Sequence, residues 1–88
     1  MNNNTKVKRI TNFISKKIDN EYVVFHVESG KVYELNPTAE TIWKYLWKPR
    51  TIGQLIKKIT ETYEVDKQKA RSDIFELLSN CKNNLFRL

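Results

Sequence analysis

At Asn36-Pro37 the hydrophobic period of the chain changes, and that change dictates a two-part architecture. Before it, Val23, Phe25 and Val27 alternate with Tyr22, Val24 and His26, the period of two that belongs to a strand. After it, Ala39, Ile42, Trp43 and Leu46 recur at i, i+3, i+4 and i+7, the spacing of one helix face. Asn is suited to cap free helix N–H groups, and Pro is pre-set for the first helical position. A β half therefore precedes an α half. With 88 residues, both halves share one domain.

Within the β half, a first strand is expected somewhere in Ile10–Ile18, with Ile10, Ile14 and Ile18 on one face. Asp19-Asn20 forms a turn. The second strand spans Glu21–Val27, Ser29-Gly30 makes a tight hairpin turn, and the third strand spans Lys31–Leu35. In the third strand Val32 and Glu34 lie opposite Tyr33 and Leu35.

Pro49 stops the first helix. Thr51 and Gln54 have the spacing of a capping box, ahead of a helix that buries Ile52, Leu55, Ile56, Ile59 and Tyr63. Asp66 caps a third helix, with Val65 placed to pack on Ala70. Its core stripe is Ala70, Ile74, Leu77, Leu78 and Cys81, and Asn83-Asn84 suits its end. Leu85, Phe86 and Leu88 fold back over the core. The expected fold class is α+β, a three-stranded antiparallel sheet followed by three helices, and the order allows a winged helix-turn-helix-like arrangement. Residues 1–9 read as a disordered tail and 10–88 as the folded domain.

The chemistry of the chain points away from catalysis. A domain of this size buries roughly 60–65% of its unfolded surface, which leaves little interior for a deep active site. There is one His and one Cys, too few for the usual metal-ligand set. His26 reads as a half-buried strand residue and Cys81 as a small buried hydrophobe. Gly30 and Gly53 are the only glycines, so no phosphate cradle exists. No cofactor is implied. The first residues lack the apolar stretch of a signal peptide, and no apolar run suits a membrane span; a cytoplasmic protein with no membrane partner is expected. The net charge of +6 attracts anionic partners of several kinds without choosing among them.

Two features suggest a binding surface. The third strand is an edge if the strands pair in sequence order, and its outward N–H and C=O groups can accept a peptide as a further strand; an ordinary solvated edge is the alternative. On the third helix, Arg71, Phe75, Leu78 and Lys82 form a second stripe at i, i+4, i+7 and i+11. Phe75 either walls a groove with Tyr33 or packs beneath the N-terminal strand. Trp47 is expected at the edge of the core, with docking of a partner enzyme as the functional alternative.

The run Ser29-Gly30-Lys31-Val32-Tyr33-Glu34-Leu35-Asn36-Pro37-Thr38-Ala39-Glu40-Thr41-Ile42-Trp43 resembles the central motif of PqqD-like proteins. Arg50-Thr51-Ile52-Gly53-Gln54-Leu55, Tyr63-Glu64-Val65-Asp66 and Asp73-Ile74-Phe75-Glu76-Leu77-Leu78 resemble that family's later helix boundaries, in the same order. The likeness covers roughly Tyr22 to Leu88. The family often has Gly near the positions of Lys48 and Asn84; here neither is Gly. The resemblance implies that residues 10–88 are a recognition element for ribosomally synthesised, post-translationally modified peptides (RiPPs). It implies that a precursor's leader peptide pairs with Val32, Tyr33, Glu34 and Leu35 and rests against Arg71, Ile74, Phe75 and Leu78. Stand-alone members serve lasso-peptide leader peptidases, radical SAM enzymes or other maturases.

The first functional expectation is thus a non-enzymatic peptide chaperone that captures a leader by strand addition and presents it to a modifying enzyme or leader peptidase. Arg71 and Lys82 would then steer an acidic leader. The alternative is a small winged-helix DNA-binding regulator. Against it, the third helix mixes Asp66, Asp73 and Glu76 among its cations, where a DNA-reading helix needs a cleaner basic face. A monomer or an edge-paired dimer fits the open strand.

Overall fold

The computed structural model describes residues 2–81 and 85–88, residue 81 through its backbone alone. The elements run β1 (Lys6–Arg9), β2 (Phe13–Ile18), β3 (Glu21–His26), β4 (Val32–Leu35), α1 (Pro37–Tyr45), β5 (Arg50–Thr51), α2 (Ile52–Thr62), α3 (Lys67–Cys81) and β6 (Phe86–Arg87). The fold is α+β, as the change of period at Asn36 requires.

One sheet is the antiparallel meander β2-β3-β4. Asp19, at φ 57°, makes the two-residue turn between β2 and β3, and Gly30, at φ +73°, supplies the left-handed residue of the β3–β4 loop. Register sets the faces. Tyr22 pairs with Leu35 and Val24 with Tyr33, and this face lies on the core. Ile14 pairs with Phe25, and Phe25 with Val32, on the outer face. The expectation for Ile10, Ile14 and Ile18 is corrected accordingly. Ile10 is buried beyond the strand, while Ile14 and Ile18 are exposed. Phe13 turns inward instead and meets the Trp43 ring edge-on at 4.8 Å.

A second small sheet, β5-β1-β6, is absent from the sequence-based order. It corrects the reading of residues 1–9 as a disordered tail. Val7 is fully buried, and β1 pairs with Arg50-Thr51 on one side and Phe86-Arg87 on the other. The carbonyls of Asn3 and Thr5 accept from Gly53 and Ile52, two otherwise free N–H groups at the start of α2. A Cβ on Gly53 would stand 3.3 Å from the Asn3 oxygen, so the segment lies close against the helix.

The helix boundaries follow their caps. Asn36 Oδ1 accepts from Ala39 N at 2.8 Å, with Pro37 next in the chain. Thr51 and Gln54 complete a reciprocal capping box on α2. Asp66 Oδ1 accepts from Lys69 N at the start of α3. The core centres on Trp43, with Phe13 and Phe86 both edge-on to it. Arg9 Nη1 donates to the Trp43 carbonyl at 3.1 Å. Leu85 and Phe86 return to the core as expected, but Leu88 is exposed. Trp47 is 66% exposed, so core-edge packing is corrected as well. Its ring lies beside Arg50 and Lys48 instead. The expected burial of the Cys81 side chain and the helix end at Asn83-Asn84 lie outside the described residues.

Candidate binding groove

The open edge of the meander can be traced bond by bond. His26 N donates to Lys31 O at 2.9 Å. From that pair the antiparallel ladder alternates, so Tyr33 and Leu35 turn their backbone groups toward β3. Val32 and Glu34 then turn theirs away from β3. Since β4 ends its sheet, these outward groups line its open edge.

That edge borders a groove of about 450 Å³. It is lined by Glu34, Leu35 and Asn36 at the end of β4, by Thr38 and Ala39 of α1, and by a wall from α3. The wall consists of Lys69, Asp73, Glu76, Leu77 and Asn80. Lys69, Asp73, Glu76 and Asn80 recur at i, i+4, i+7 and i+11, one continuous helix face. Leu77 lies between that face and the buried stripe Ala70, Ile74 and Leu78. The lining thus combines the apolar Leu35, Ala39 and Leu77 with a polar helix face of two carboxylates, one lysine and one amide. Lys69 Nζ meets Asp73 Oδ1 at 3.0 Å. Glu34 and Glu76 have no ion pair among the described residues.

The structure sorts the sequence-predicted site residues into three groups. Val32 and Glu34 are exposed on the open edge, with Tyr33 half-buried and Leu35 buried beneath them. Ile74 and Leu78 are fully buried, so they support α3 from within the core and offer no surface to a ligand. Arg71 and Phe75 lie on the other flank of the core stripe, Arg71 about half a turn from Asn80 and Phe75 about 100° around the helix from Glu76. There Arg71 donates to the side chain of Asn3 and stacks over the Phe75 ring at 4.6 Å. Phe75 is half-buried against the core. Lys82 lies outside the described residues. Sequence reasoning missed Asp73, Glu76, Leu77 and Asn80 as wall residues, although their polar stripe was present at helical spacing.

Other chemistry is sparse. His26 is half-buried, with Nδ1 2.8 Å from Ser29 Oγ. Among the described residues no group of three or more His, Cys, Asp or Glu is placed to hold a metal ion. None of their helices is long and apolar enough to cross a membrane.

A family model, coenzyme PQQ synthesis protein D (PqqD), matches residues 21–84. Comparison with curated proteins finds no match. Two solved structures are similar in fold. The structure of TbiB1 in complex with the TbiA(beta) leader peptide aligns with a TM-score of 0.76 at 25% identity, covering 89% of this chain and 93% of that one. The structure of a lasso peptide synthetase B1 complexed with the leader peptide aligns with a TM-score of 0.76 at 24% identity, covering 93% of this chain and 98% of that one.

Proposed function

The chain belongs to the PqqD family, and from that premise we propose that it binds the leader segment of a ribosomally synthesised precursor peptide in the groove between β4 and α3. The observation that carries this reading is the open edge of β4 beside a groove. The leader adds as a further antiparallel or parallel strand, bonding to the outward backbone groups of Val32 and Glu34. Alternate side chains of the leader then enter the groove, over Leu35, Ala39 and Leu77. Backbone bonds supply affinity, and the groove supplies specificity.

The domain has no chemistry to perform in this role. It holds the leader for a modifying enzyme or leader peptidase, and binding both raises the peptide's effective concentration at that enzyme. A lasso-peptide pathway is the favoured setting, supported by the fold shared with a lasso peptide synthetase B1 in its leader complex. Such a role belongs in the cytoplasm, where precursors are made.

Fluorescence anisotropy tests the proposal, using a labelled leader from a precursor encoded beside this gene and a random DNA duplex in parallel, each at low and high salt. Saturable leader binding that survives high salt is expected. Salt-sensitive duplex binding without leader binding would replace the proposal with the DNA-binding reading.

A further inference from the structure

We propose that the captured segment is selected for a lysine or arginine side chain that enters the groove and pairs with Glu76 on α3. This inference rests on the peptide-binding reading of the same groove and adds the chemical class of its ligand. The chain as a whole carries +6, yet the groove reverses that sign. Among the described residues its α3 wall holds two carboxylates, Asp73 and Glu76, against one cation, Lys69. Lys69 is already engaged with Asp73 at 3.0 Å. Glu76 has no cation of its own among the described residues, and Glu34, whose side chain the register turns to the outer face of the sheet, has none either.

The shape agrees with the charge. Leu35, Ala39 and Leu77 supply apolar surface in the same lining as the carboxylates. A long cationic side chain suits that arrangement, with its methylene stem on apolar surface and its charged head in a polar rim. An acidic side chain at the same place meets like charges, which costs affinity and rejects wrong partners. The remaining cations of the chain oppose this little, because exposed charges farther than about 8 Å are largely screened at physiological salt. One cation expected to attract an acidic leader, Arg71, does not face the groove. Arg71 is turned to Asn3 on the other flank of α3, and Lys82 lies outside the described residues.

The test is selection of displayed random 12-residue peptides on the immobilised full chain, in parallel with a D73N/E76Q variant. Both substitutions are at the helix surface, and matching thermal midpoints will establish that the variant folds. The wild type is expected to enrich Lys or Arg over Asp or Glu at one position by about fivefold, and the variant to lose that bias while still capturing peptides. For the most enriched peptide, exchanging its cation for Glu is expected to weaken binding to the wild type and to restore it on Glu76→Lys. Enriched peptides with no charge bias, or an acidic one, overturn this inference and leave strand capture standing. Failure to enrich any peptide on either chain overturns the peptide-binding reading and this inference with it.

Discussion

The Arg71 guanidinium donates to the side chain of Asn3, joining α3 to a segment 68 positions earlier in the chain. The same guanidinium covers the Phe75 ring at 4.6 Å. This flank of α3 therefore holds the N-terminal segment in place, while the opposite flank walls the groove. Phe75→Ala is expected to lower stability by about 1–3 kcal/mol, less than full burial would give because Phe75 is only partly buried. Leader affinity in the folded variant should stay within about twofold, since Phe75 is not among the residues that line the groove. Urea unfolding and anisotropy on one sample separate the two effects. A tenfold loss of affinity at unchanged stability would contradict the placement.

How much of this was legible in the sequence depended on how local each signal was. Asn36, Thr51 with Gln54, and Asp66 act on N–H groups within three residues, and all three cap as their sequence indicates. Gly30 marked its turn through a conformation other residues avoid. The small sheet left no such trace. Lys6–Arg9 contains one apolar residue, and its partners lie at Arg50-Thr51 and Phe86-Arg87, far along the chain. The inner face of β2 was misjudged because Phe13 and Ile14 are adjacent, and a shift of one residue exchanges the faces. In the groove, the edge strand was legible from strand order. The facing wall was not, because helical period gives the angle between Phe75 and Glu76 but not which flank meets β4.

Glu40 links the start of α1 to two lysines. Its carboxylate lies 2.8 Å from Lys44 Nζ and 3.5 Å from Lys17 Nζ, the second reaching across to β2. The hydrogen bond from Lys44, opposed by some desolvation and helped by the charge of Lys17, holds the Glu40 carboxyl below the usual carboxylate range. A carboxyl depressed in the folded state stabilises the fold above its unfolded value and loses that contribution as pH falls through its folded value. Wild type should therefore exceed Glu40→Gln in stability at neutral pH, by a small margin for so exposed a lysine pair. The two should converge under acid conditions. Thermal unfolding at a series of pH values checks this; a gap that widens toward acid pH would refute it.

Strand addition to β4 makes a specific demand on one backbone group. The ladder turns the N–H of Glu34 away from β3, toward the incoming peptide. Glu34→Pro removes that donor without removing one from the β3–β4 pairing, and Pro is tolerated where an edge strand's N–H faces outward. The variant should keep its helical circular dichroism and a cooperative thermal transition while binding the leader at least about tenfold more weakly. Glu34→Gln separates the backbone effect from the loss of charge, because it restores the N–H and omits only the carboxylate. Strong binding by the Pro variant would mean that the peptide does not pair through this position, even if it occupies the groove. Weak binding by Pro with near-normal binding by Gln would place the dominant contribution in the backbone bond, with the carboxylate refining which leader is accepted.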